Sequence, residues 1–476
     1  MRNKNSYMKT KILLITILFS SNFLFAQTNL SGFYPSSTIS GLRFGSATAI
    51  HENTIVISSA TSPFPPVTTG YVYVFNQTNQ SITQEAYFYP SDALSNDQFG
   101  KAVAVFEDFI AVGSPLHDEG FSDSGAVYLY KKVNNNWEFF QKITATDASA
   151  NKQFGSFVKI QGNSLFVSAP NDANSIGIGS VYVYTFNETE WIFNQKLTIA
   201  NSIKLGEKIE IEGNYLVVSD RLNEQKTKYH TFIFDTNWIY NDSTLEFGNL
   251  EENIKDFSFD GQKLYITAIQ MSSQFLNKVY ILNRVNNSWV NESILPMNFD
   301  DFVIGKIAVS GNNMLVGYEF YFLQLSRKFP VFYYKKIENE WQMQTYFYGE
   351  GQSNMDDYLG NSISMFESNV VLGAYNEGGI NTGKAYSINL ENLSIPTFDK
   401  NVISIYPNPT NNSITIENQS SNQVGRYELF SITGKLLYSV SKQFSTLSLD
   451  HFQSGIYLLK ISFENDSYET HKIIKK

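Results

Sequence analysis

The 476-residue chain contains no cysteine. That excludes disulfides, thiolate metal sites and cysteine nucleophiles, and it leaves the hydrophobic core to hold the fold. Charge is sparse as well: Lys and Arg number 35 against 45 Asp and Glu, a net of -10. No basic run lies beyond the N-terminus, which argues against nucleic acid as a partner, because neutralising phosphates takes clustered Lys and Arg. The apolar run near the start, Ile12 to Phe19, is well short of the ~20 residues a membrane span needs. Five histidines (His51, His117, His230, His451 and His471) are scattered, with no pair at metal-ligand spacing. Neither a GxSxG elbow nor a phosphate loop is present. Nothing reads as catalytic, and no cofactor is assigned.

Aromatic residues are plentiful: 15% of the chain, with 29 Tyr and 38 Phe. This suits strands that pack on both faces. Residues 1–26 read as a signal peptide, with Arg2, Lys4, Lys9 and Lys11 ahead of the apolar run and cleavage after Ala26. Export follows, and no transmembrane segment is expected once that peptide is removed.

From Phe44 a unit of four short strands recurs every 50 to 55 residues, a propeller-like period. Its starts are Phe44-Gly45, Phe99-Gly100, Phe154-Gly155, Leu205-Gly206, a degenerate copy near Asp256-Phe257, Ile304-Gly305 and Leu359-Gly360. A first strand follows each Phe-Gly, then a tight turn, then a strongly apolar second strand such as FIAVG or LFVSA. Third strands alternate Tyr and Val, as in GAVYLY and GSVYVY. Fourth strands often open with Trp: Trp137, Trp191, Trp238, Trp289 and Trp341. The seventh copy lacks a fourth strand, while Leu30 to Gly45 aligns with Glu85 to Gly100. The N-terminal residues are therefore expected to supply the missing outer strand, removing an exposed edge. The expectation is an all-β chain. A seven-bladed β-propeller spans 27–394, and a linker at 395–400 leads to a small Ig-like β-sandwich at 401–476.

The segments FGKAVAV…IAVGSP and FGSFVKI…LFVSAP resemble the FG-GAP repeats of integrin α-type propellers and their bacterial relatives. The likeness is good in copies one, two, three and seven and weak in four to six. The family's repeats usually carry a calcium loop between first and second strands. Here those connections are turns such as Glu107-Asp108 and Gly162-Asn163, too short to wrap an ion that takes six to eight oxygens. Calcium is thus not carried over to the first-to-second-strand turns, although a weak site elsewhere stays open.

The C-terminal block resembles the sorting domain of the type IX secretion system. Its motifs are Tyr406-Pro407-Asn408-Pro409, Thr433-Gly434-Lys435, Ser454-Gly455-Ile456-Tyr457 and the terminal lysines Lys472, Lys475 and Lys476. The resemblance implies recognition by the type IX machinery of a Bacteroidetes-type bacterium, passage across the outer membrane, and release or attachment at the cell surface.

In a four-stranded blade the second-to-third-strand loops and the inter-blade links share one face. Here they are long and variable, and function tends to reside in such loops on a rigid scaffold. Asp118, Phe121 and Asp123 in copy two, Asn171 and Asp172 in copy three, and Asn376 and Glu377 in copy seven are the candidate binding-face residues. The expected function is an adhesion or binding module for an extracellular glycan or protein. The alternative is a polysaccharide hydrolase or lyase using two loop carboxylates.

Overall fold

The computed structural model describes residues 28–476 except 31, 37–42, 60–69, 79–80, 95, 174–177, 224, 249–251, 271–275, 298–302, 320–329, 351–357, 376–382, 394–402, 419–422, 432–434, 442–444 and 464–467. The signal-peptide segment lies outside the described residues. Those residues contain strands and turns but no helix. They form two compact units, residues 1–393 and 394–476.

Seven sheets follow one another among the described residues of the first unit, each built on antiparallel strands consecutive in sequence, with one short N-terminal strand added to each of the last two. The second strand of each is its most buried element. Ile55–Ile57, Ile110–Val112 and Leu165–Val167 have no exposed surface, because every such strand is covered on both faces. The cores lie between sheets rather than within them. Val56 and Val74 of the first sheet pack with Val105 and Tyr128 of the second. Leu129 of the second packs with Val158 and Tyr182 of the third. One cluster joins Phe44, Ile57 and Tyr73 of the first sheet to Val371 and Ala385 of the last.

The Phe-Gly dipeptide makes this packing possible. Gly155 has φ +94, and its carbonyl lies where a Cβ on Gly113, in the second strand of the preceding sheet, would meet it at 2.0 Å. The pair Gly45 and Gly373 repeats the contact, also at 2.0 Å. Where the second strand carries Ser58 or Ser168 instead, the side-chain Cβ stands 3.0 Å from the point a Cβ on Gly100 or Gly206 would occupy. Thr267 takes the position in the fifth sheet and donates its hydroxyl to the Gly305 carbonyl at 2.8 Å. Only glycine has both the positive φ and the bare Cα this approach requires.

A second tie runs along the outer rim. Gln141 donates to the Trp191 carbonyl at 3.0 Å and accepts the Trp191 amide at 2.9 Å. Gln195 does the same to Trp238 in the next sheet, at 2.8 and 3.1 Å. The recurring Trp…Gln-Lys pattern is thus a sheet-to-sheet clamp.

The N-terminal residues complete two sheets. Gly32–Phe33 pairs antiparallel with Lys384–Asn389, the third strand of the last sheet. Thr28–Asn29 adds parallel to Glu340–Tyr348 of the sixth sheet, a pairing the sequence does not signal. Leu30, between them, is buried among Val331, Phe347 and Tyr386.

In the second unit a three-stranded sheet and a four-stranded sheet enclose one core. Ile403, Ile414 and Leu447 on one side meet Tyr427, Leu459 and Ile473 on the other.

Two substitutions test the backbone contact. Gly113→Ala should destabilise the first unit by about 2 kcal/mol or more, because its Cβ collides with backbone. Gly162→Ala has open space and only a left-handed φ of +54, and should cost about 1 kcal/mol. Calorimetric unfolding of the two variants measures the order; equal losses would contradict the packing argument.

Candidate functional site

The candidate face is built by the second-to-third-strand loops and the links that lead into each new sheet. In the second sheet the loop after Phe109–Ser114 is zipped to the link that follows that sheet. Asn151 donates its amide to the Ser122 carbonyl at 2.8 Å, Gln153 to Asp123 at 3.0 Å and Phe154 to Ser124 at 3.1 Å. Asp118 accepts the Asp123 amide at 2.8 Å, so both carboxylate residues shape the turn. Phe121 stands at its tip, 52% exposed.

Beneath the tips lies a buried polar layer that recurs with different partners. In the second sheet Asp97 of the link faces His117 of the loop, Oδ2 to Nδ1 at 2.7 Å. In the third sheet the same two places hold Lys152 and Asp172, Nζ to Oδ1 at 3.4 Å. The equivalence is clear in the sequence. Asp97 and Lys152 each precede Gln-Phe-Gly, and His117 and Asp172 each stand two residues after the proline that ends the second strand.

Each pair is embedded in a wider network. His117 Nε2 accepts from the Lys142 ammonium at 2.8 Å, which places the imidazole proton on Nδ1, toward Asp97. Lys142 also reaches Asp92 at 2.8 Å and Glu119. Burial opposes the charge on Lys142, but its bonds to Asp92 and Glu119 outweigh it and raise the ammonium's pKa. In the third sheet Lys196 contacts both Asp147 and Asp172 at 2.6 Å. Asp172 also accepts the Ser180 hydroxyl at 2.7 Å and the Tyr182 hydroxyl at 3.1 Å. Burial pushes on Asp147 from one side, yet Lys152, Lys196 and Tyr182 hold its carboxyl well below the usual range. Burial, reinforced by Asp147, drives the Tyr182 phenol far above its ordinary value.

The candidate residues therefore part company. Asp172 is fully buried and locks its loop to the scaffold. Asn171 is half-buried beside it, while Phe121 and Asp118 are exposed. Asn376 and Glu377 lie outside the described residues. The face gains exposed apolar residues that the sequence reading did not single out: Leu94, Ile178 and Ile203, at 63%, 44% and 45% exposure. Of the sorting-motif residues, Asn408 braces the last strand, donating to the Lys472 carbonyl at 2.6 Å and accepting the Ile474 amide at 2.8 Å. Pro407 and Pro409 flank it. Tyr457 is buried and donates to the Gln453 carbonyl at 2.6 Å, and Gly455 pairs with Lys475. Gly434 lies outside the described residues.

Comparison with known proteins agrees with this organisation. Residues 82–130 and 137–184 match the FG-GAP repeat family, and residues 404–476 match the secretion system C-terminal sorting domain. The chain carries FG-GAP repeats of the β-propeller kind and a type IX sorting domain, and is secreted or attached to the cell surface. No curated protein matches it. Among solved structures, a putative 6-phosphogluconolactonase from Bacteroides uniformis is similar over 84% of this chain and all of its own, at 8% identity and TM-score 0.46. Sqt1 from Chaetomium thermophilum is similar over 95% of this chain and all of its own, at 10% identity and TM-score 0.45. The β-propeller domain of the Trilobed protease from Pyrococcus furiosus covers 72% of this chain and 93% of its own, at 9% identity and TM-score 0.40. Likenesses this distant carry no argument about activity.

Breaking the buried layer should be costly. Lys152→Met removes one of the two cations that Asp172 and Asp147 share, leaving Lys196 in place, and should lower stability by about 2 kcal/mol; adding Asp172→Asn should restore part of it. A double variant no better than the single one would count against the pairing. Acid stability follows from the same network. Because the folded pKa of Asp147 lies below its unfolded value, its contribution is complete above about pH 4 and disappears as pH falls through the lowered value. Asp147→Asn should therefore flatten the acid-side decline in melting temperature, measured from pH 7 downward.

Proposed function

We propose that the first unit is a seven-bladed β-propeller that serves as an exported binding or adhesion module, recognising an extracellular glycan or protein through its long-loop face. The second unit, read as an Ig-like sandwich, is its export address and engages the type IX machinery. The observation that carries the binding reading is the set of exposed apolar side chains Leu94, Phe121, Ile178 and Ile203 on loops and links anchored from below by buried polar contacts. Pinned loops lose little entropy on binding, which favours the face that presents these side chains.

The test is a glycan-array and surface-protein pull-down screen with the exported protein and a Phe121→Ala, Ile178→Ser double variant. These side chains touch no core cluster, so the melting temperature should stay unchanged while ligand retention falls about tenfold, or about 1.4 kcal/mol. Undiminished retention by the variant would remove the loop tips from the site.

A further inference from the structure

The fourth sheet departs from the repeat at one place, and a cavity opens there. In five sheets the third-strand residue facing the fourth position of the second strand is a tyrosine: Tyr73, Tyr128, Tyr182, Tyr280 and Tyr386. In the sixth it is Phe332. In the fourth it is His230, opposite Val218.

The outer strand changes at the same point. Other sheets carry a bulge in which one step of the third strand faces two of the fourth, as between the pairs Leu129–Gln141 and Tyr130–Phe139. From His230 to Phe232 is two steps, yet their partners Thr244 and Tyr240 are four apart. A shorter side chain and a wider bulge together leave an open cavity of about 380 Å³, bordered by Thr198, Ile199, Lys228, His230, Tyr240 and Thr244. Bulges next to functional sites re-aim side chains in this way.

The groups around the cavity are bonded mainly to one another and so can exchange partners with a ligand. His230 is buried, and its Nε2 stands 3.6 Å from Asp220 Oδ2, longer than an ordinary hydrogen bond. Asp220 is itself held by the amides of Ile203 and Lys204, at 2.9 and 2.7 Å. On the cavity side His230 Nδ1 shares hydrogen bonds with the Thr244 hydroxyl at 3.3 Å and the Tyr240 hydroxyl at 3.5 Å, and these two hydroxyls bond each other. Among the described residues Lys228 makes one loose ion pair, 3.9 Å to Glu246, which is held more closely by Lys226 at 3.0 Å. One lightly engaged ammonium, three hydroxyls, an imidazole and the apolar surface of Ile199 and Tyr240 border a space the size of a small-ligand pocket.

We infer that this cavity is a subsite for one acidic sugar unit, a hexuronate. Its carboxylate pairs with Lys228, its hydroxyls exchange hydrogen bonds with Thr198, Tyr240, Thr244 and His230, and its apolar ring face lies against Ile199 and Tyr240. The inference rests on the glycan reading above for its ligand class but uses none of the loop-tip residues.

The experiment is titration calorimetry of the exported protein with glucuronate, galacturonate and, as a neutral control, glucose. A uronate should bind saturably with a dissociation constant near ~1 mM, and glucose about tenfold more weakly. His230→Tyr restores the residue five other sheets accept, so it should fold and fill the cavity, weakening uronate about tenfold or more. Lys228→Gln should erase the preference for uronate over glucose. The Phe121→Ala, Ile178→Ser variant should bind uronate as the parent does, even if loop-tip ligands are lost. No saturable uronate binding, undiminished binding by His230→Tyr, or loss confined to the loop-tip variant would each overturn the inference. The last outcome would leave the loop-face reading standing.

Discussion

Everything in the first unit depends on how closely one sheet's backbone can approach the next. At each well-formed junction the glycine of Phe-Gly, or of Leu359-Gly360, turns its carbonyl toward a glycine of the neighbouring second strand, at Gly113, Gly317 or Gly373. A methyl group there would sit inside the carbonyl's contact radius. The adjoining phenylalanine is fully buried, as Phe44, Phe99 and Phe154 are, so one dipeptide supplies both the close contact and the hydrophobic plug beside it. Close-packed interiors do not absorb an added methylene easily, which makes this junction intolerant and keeps the spacing of the sheets uniform.

The buried polar layer is a different kind of constraint. A lone buried charge is costly, whereas a paired one is tolerated. The exchange of Asp97 and His117 for Lys152 and Asp172 between neighbouring sheets keeps both sites paired, by a carboxylate–imidazole hydrogen bond in one and an ion pair in the other. The shared outcome is a loop tied to the link of its own sheet, with its tip left free. The scaffold thus separates residues that hold the face, Asp172 among them, from residues that present it, such as Phe121.

Much of this was legible beforehand, at the places where chemistry repeats. The strand order and the apolar second strands follow from period and alternation. The exchanged buried pair could have been found by aligning copies two and three, since both positions sit at fixed distances from Gln-Phe-Gly and from the strand-ending proline. His230 also had a signal: it breaks the Tyr-rich third strand in KYHTFIF. Its meaning was hidden, because a histidine among five scattered ones gains significance only when the wider bulge across from it is seen.

The sequence by itself determined the repeat, the all-β class, the export address and the glycines that set sheet spacing. These are local properties, fixed by side-chain size, φ preference and alternation. The tertiary structure alone decided which carboxylates are buried and which exposed, that Thr28–Asn29 joins the sixth sheet, and that a cavity opens beside His230. Burial and cavity shape arise from residues far apart in the chain, Asp147 against Lys196 or Thr198 against Thr244, and no local pattern carries the distance between them.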